Sequence, residues 1–263
     1  MGDIGMTLRF VVVAEDQLGY RLVRDLGDRV IMERGASWLR DLWCEEELRS
    51  SQRSWTGFEP GQAWSSWGDI KRLGEELSVR GHGLGIKAEA AMARKAVAIA
   101  AELPTKRPGS PSVDALFLVH DTDGDEAVRD RLREGGRGRD QPAFTVLVAA
   151  PHPESEVWVI AGAAPNEAEA KELHAAERQR LGFDPVRYPE GLTSNRATDK
   201  RDAKRVCEAL LGPPGKQYER WERCWRETPL DELEQNGAAA GLRHYTQELE
   251  DRMLPLLGGP GSG

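Results

Sequence analysis

Four carboxylates stand directly behind apolar runs. Glu15 follows Leu8–Ala14 (LRFVVVA), and Asp121, Asp123 and Asp125 follow Val113–His120 (VDALFLVH). Short, valine-rich runs cut off by charge read as strands buried on both faces, as in a parallel sheet. Ligands of such sheets bind beyond the carboxyl ends of the strands. If the two strands are neighbours, Glu15 and the Asp121-x-Asp123 pair converge. Clustered carboxylates repel unless a cation lies between them. An all-oxygen set suits Mg2+ or Mn2+, and Gly124 permits a sharp turn after the pair. Such a set could cleave phosphodiester bonds, by activating water and neutralising charge on the phosphorane and the leaving oxygen.

Other readings of the same residues fit less well. Solvated loop acids, or helix caps at Asp123 or Asp125, are the plain alternative. An EF-hand loop counted from Asp121 places Glu126 where glycine belongs and Leu132 where glutamate belongs. A phosphatase of the haloacid-dehalogenase class would use Asp121 as nucleophile and Asp123 as acid/base. Asp125 and the central position of the motif argue against it. A lysine and a downstream acid pair converging on Asp121 would argue for it. A glycosyltransferase would want a nucleotide-sugar domain ahead of its Asp-x-Asp. The Gly81–Gly85 turn lacks the Gly-Lys-Ser/Thr of a nucleotide-binding loop, so ATPase activity is not expected of this chain. His82 sits in that turn, His152 between prolines, and His120 should point away from Asp121 by strand alternation.

Phosphate contacts would come from two basic stretches. Residues 129–139 carry five arginines, including Arg137 and Arg139, against Asp130 and Glu134. Residues 184–205 carry six basic side chains against four acidic ones. Lys200 and Lys204 are spaced as one helical turn and Arg201 lies beside them. Lys87, with Arg94 and Lys95, is a weaker candidate. A solvated helix face is the plain reading of each stretch.

The elements that must position these groups follow from periodicity. After the strand at 8–14, a helix is expected at 17–26, a short strand at 29–32 and a helix at 36–49. Residues 50–70 read as a long ordered loop whose Trp55, Trp64 and Trp67 pack on the core edge or form a partner surface. Ile86–Leu103 reads as an alanine-rich helix. Strands at 113–120 and 143–149 flank a helix at 126–133. A short helix at 154–162, a polar helix at 166–181 and further helices to about 256 complete the chain. This order is that of an α/β fold: a small parallel sheet flanked by helices, with a helical C-terminal region. The α/β core is expected over 6–165 with a Trp-rich insertion at about 50–70, the helical region over 166–257, and a disordered tail over 258–263.

Composition limits the function. The 263 residues carry 36 basic and 44 acidic side chains, net −8. That excludes a surface that binds nucleic acid everywhere, though not a local basic groove. No apolar run approaches about 18 residues, so no membrane span is expected. The N-terminus has no secretory pattern. Three widely spaced cysteines fit a reducing cytoplasm better than a disulfide framework.

An apolar strand ending in Glu15, a helix, and a later strand ending in Asp121-x-Asp123 resemble the TOPRIM domain of topoisomerases, primases and OLD-family nucleases. The resemblance spans about residues 6–165. It extends to small bacterial TOPRIM-like proteins through Glu154-Ser155-Glu156-Val157-Trp158 and the tail from Asp202-Ala203-Lys204. It implies Glu15, Asp121 and Asp123 as catalytic acids. It implies Mg2+ or Mn2+ held by those three, with Asp125 and Glu156 as further acids. It also implies a nuclease acting on DNA or RNA in phage defence, beside an ATPase partner and with self-association open. A weakly active binding or regulatory subunit is the alternative, and a metal-dependent phosphohydrolase a second. One departure stands out: many such domains have glycine directly after the glutamate, where this chain has Asp16.

Overall fold

The run Leu8–Ala14 forms strand β1, with six of its seven residues buried. Its backbone groups must therefore find partners inside the protein. They do so on both sides. The computed structural model describes residues 7–43, 45–79, 87–137, 142–164, 168–194, 196 and 198–258. Within it β1 pairs in parallel with β2 (Arg53–Thr56), with the two-residue β3 (Ser65–Ser66) and with β4 (Ala115–Val119). Strand β4 pairs with β5 (Thr145–Ala149). The fold is thus α/β, a five-stranded parallel sheet of order β2-β1-β4-β5, with β3 beside β1.

Helix α1 (Gln17–Arg34) leaves β1 at once. It absorbs the strand expected at 29–32, because Leu18, Leu22, Val23, Leu26, Val30 and Ile31 keep helical spacing and are all buried. The helix expected at 36–49 is two, α2 (Ser37–Trp43) and α3 (Glu46–Gln52). The expected loop at 50–70 instead holds β2, β3 and the start of α4 (Trp67–Glu76). Its tryptophans fill the core edge. Trp55 meets Phe10 and Phe117 at ring distances of 5.0 and 4.8 Å, and Trp64 stacks on Tyr20. Helices α5 (Ala88–Lys106) and α6 (Ala127–Gly136) complete the flanks. The Gly81–Gly85 turn and the tail beyond residue 258 lie outside the described residues.

Contacts divide the described chain into two units. The first holds the sheet, residues up to His120, Val128–Ala149 and the end of the chain from Gln247. The second holds Asp121–Ala127 and residues 150–246. The boundary thus falls inside the expected α/β core, between β4 and the Asp-x-Asp pair. The second unit is built on α7 (Glu156–Ala161), all six residues of which are buried. Around it lie α9 (Ala203–Leu211), α10 (Pro214–Glu227) and α11 (Leu230–Asn236). The carbonyls at the end of α7 accept from Thr228 and Asn236 side chains, and Trp158 stacks on Tyr245. The unit also contains α8 (Ala168–Leu181) and most of α12 (Leu242–Glu248). Cys207 and Cys224 are buried thiols here; burial pushes Cys207 well up and Cys224 to about 12. Among the described residues no helix is long and apolar enough to cross a membrane.

Packing of Trp55 depends on Gly27, where an added Cβ would lie 2.9 Å from the indole ring. Gly27→Ala should therefore destabilise the protein by about 1–3 kcal/mol through overpacking. A lower urea midpoint at unchanged slope is the expected reading.

Candidate functional site

The sheet order fixes where a site can form. From β1 the chain crosses to β2 on one side, and from β4 it crosses to β5 on the other. The topological switch point therefore lies between β1 and β4, at their carboxyl ends. Val13 pairs with Leu118 in register. Two residues further on, Glu15 and His120 leave the sheet at the same level.

In the first unit, His120 Nε2 lies 3.4 Å from Glu15 Oε1. β4 ends at Val119, so His120 is the first residue beyond the strand. The imidazole also meets the Trp67 indole at 5.7 Å between ring centroids. Trp67 is held by its own indole N–H, which donates to the Val119 carbonyl at 2.9 Å. A capping box of Ser66 and Asp69 starts α4 beneath it. Asp16, which stands where the TOPRIM pattern often has glycine, caps α1: its carboxylate accepts from the Gly19 N–H at 2.9 Å.

In the second unit, Asp121 Oδ1 accepts a hydrogen bond from the Ser155 hydroxyl at 2.7 Å. The Asp125 N–H donates to the Thr122 carbonyl, closing a β-turn with Asp123 and Gly124 at its centre. Both central residues have positive φ, +50° and +84°, the pattern of a type I′ turn. Asp-Gly is a favoured sequence for such a turn. The turn is tied to the Pro151–Pro153 segment. Thr122 N–H donates to Pro151 O and Asp123 N–H to Pro153 O. The Thr122 hydroxyl lies 2.7 Å from His152 Nδ1, so His152 braces this loop.

Glu154 and Glu156 stand beyond this turn. Glu156 is buried and lies 3.7 Å from Lys204 Nζ. Glu154 is pushed up to about 7, first by burial and then by Glu156, with Asp202 and Asp123 adding and Lys204 opposing. Its Oε2 is buried without a hydrogen-bond partner. Asp202 caps α9 by accepting from Arg205 N–H.

The other expected residues disperse. Asp125 accepts from Ala127 N–H at the start of α6. Lys200 and Lys204 do not share a helix face. The Asp202 cap starts α9 at Ala203, so Lys200 lies in the preceding turn. Arg201 packs over Phe183. Lys87 is exposed at the start of α5. In the 129–139 stretch, Arg131 pairs with Glu89 and Arg133 with Glu248. Exposed Arg137 lines a 1060 Å³ cavity with Leu8, Asp114 and Thr145. Those residues stand at the amino ends of the strands, away from Glu15. Arg139 lies outside the described residues. Sequence reasoning missed Ser155, Glu154, Trp67 and the pairing role of His120. Only the Glu154-Ser155-Glu156 run carried a local signal.

The donors in both units are oxygens, the set a hard cation takes. Among the described residues no three acids, histidines or cysteines gather so as to hold one ion. Mg2+ commonly takes one or two carboxylates and completes its shell with water. The crowding around Glu154, with its unpartnered oxygen, is the kind a divalent cation relieves. By donor type the residues fit such an ion. No family model matches the chain, and neither a curated protein nor a solved structure matches it.

Two measurements probe this cluster. Between pH 4.5, the ordinary value for glutamate, and about 7, the folded protein keeps a Glu154 proton that the unfolded chain has released. Stability should therefore fall as pH rises through that window. Glu154→Gln should gain on the wild type between pH 5 and pH 8, with Tm rising about 2–4 °C for each kcal/mol. Separately, Asp123→Gly relieves a left-handed backbone and should stabilise the fold by about 1 kcal/mol, while Gly124→Ala should cost a similar amount. Urea unfolding of the two variants reads both.

Proposed function

We propose that this chain is a Mg2+- or Mn2+-dependent hydrolase of phosphodiester bonds, a nuclease of TOPRIM type. The observation that carries the reading is the switch point between β1 and β4, where Glu15 leaves one strand and His120-Asp121 the other. Asp123 supports it by its place in the turn directly behind that strand, tied to Pro153 by its N–H.

On this reading Asp121 and Asp123 hold the cation, and Ser155 orients Asp121. The cation would supply Lewis acidity toward the phosphorane and the leaving oxygen. The TOPRIM resemblance alone would add Glu15 as the base for the attacking water or as a further ligand. An ATPase partner and a role in phage defence belong to the proposal through the TOPRIM resemblance alone. Pairing of Arg131 and Arg133 within the fold supports a protein whose grip on nucleic acid comes partly from a partner.

A second reading, a phosphohydrolase acting on a small substrate, is favoured by a specific arrangement. Ser155 sits on Asp121, and Lys204 stands with Glu154 and Glu156 in the same unit. There Asp121 would be the nucleophile and Glu15 dispensable.

Purified protein, alone and with an ATPase encoded beside it, should be assayed with DNA, RNA and p-nitrophenyl phosphate plus Mg2+ or Mn2+. The nuclease reading expects cleavage of nucleic acid that falls by about 10²-fold or more in Glu15→Gln and in Asp121→Asn. Phosphatase activity lost in Asp121→Asn but kept in Glu15→Gln would favour the second reading. Retention of nucleic acid without cleavage would favour a binding subunit.

A further inference from the structure

His120 is flanked by a carboxylate on one side and an anchored indole on the other. On one side is the Glu15 carboxylate, 3.4 Å from Nε2. On the other is the Trp67 indole, tilted 54° to the imidazole. Trp67 cannot drift, because its N–H is bonded to Val119 O and the Ser66–Asp69 box pins its helix. Val119 is also the residue that delivers His120, so one strand end holds both rings. The Glu15 side chain is 39% exposed, so its carboxylate is open to solvent beside the imidazole.

We propose that His120 is a positioning residue for Glu15. Its Nε2 carries a hydrogen directed at Glu15 Oε1, and Trp67 fixes the plane of the ring. The carboxylate is thereby held in one orientation toward the switch-point crevice. This deepens the reading of Glu15 as base or ligand and rests on it. A packing role would need only the ring, whereas a positioning role needs the hydrogen on Nε2.

Two measurements on the intact chain separate these roles. The first is the nitrogen spectrum of ¹⁵N-histidine-labelled protein. It should show hydrogen on His120 Nε2, and Glu15→Ala should shift that signal. A bare Nε2, or a spectrum indifferent to Glu15→Ala, would overturn the proposal whatever the protein hydrolyses. The second is a double-mutant comparison of nucleic-acid cleavage. His120→Phe should lower kcat by roughly 10–100-fold with little change in KM. His120→Gln, which restores an N–H donor, should recover part of the loss. In a Glu15→Gln background, His120→Phe should cost little more. Additive losses, or equal losses in the Phe and Gln variants, would overturn the positioning role. Absence of cleavage by the wild type would instead count against the nuclease reading, and the nitrogen spectrum would still decide the role of His120.

Discussion

The pairing of β1 with β4 is the constraint on which the rest depends. Both strands are apolar and buried, so their backbone groups can be satisfied only by neighbouring strands. With β4 on one side, β1 takes β2 and β3 on the other, and β5 must pair outside β4. Two strands whose crossovers diverge leave an uncovered crevice between their carboxyl ends. Glu15 and His120 occupy that position because of topology, not because they attract each other.

Polar side chains fasten this sheet where backbone pairing stops. The Arg9 guanidinium reaches Thr56 and the carbonyls of Pro111, Gly57 and Phe58, joining the end of β2 to the loop before β4. Asp28 accepts from Arg53 and from the Trp55 indole. At the outer edge, Glu248 accepts from Val148 N–H and is itself held by Arg133, which blunts an otherwise open edge strand. Several arginines are thus committed to the fold. The net charge of −8 is thus set partly by arginines whose charge is spent inside the fold.

The second unit carries cost as well as order. A turn with an aspartate at positive φ and a crowd of carboxylates about Glu154 both lower stability. Natural chains tolerate such features where chemistry needs them. The hydrogen bonds from Thr122, Asp123 and Ser155 hold the turn in place.

The sequence by itself determined three of the five strands and their parallel arrangement, because buried strands need continuous apolar runs whatever surrounds them. LRFVVVA, ALFLV and TVLVA were legible for that reason, as were the acids behind the first two. Caps were half legible. Asp16 reads as a departure from a glycine pattern until its bond to Gly19 shows a helix start. Tertiary structure decided the rest. Val30 and Ile31 favour a strand locally, yet packing of α1 on the sheet keeps them helical. The short strands at 53–56 and 65–66 have no period of their own and exist because β1 has an edge to fill. His120 faces Glu15 because its strand ends one residue earlier, and Lys200 and Lys204 separate because Asp202 starts a helix between them. Each outcome turns on where an element stops. That is set by hydrogen bonds between residues far apart in the chain, which spacing along it does not encode.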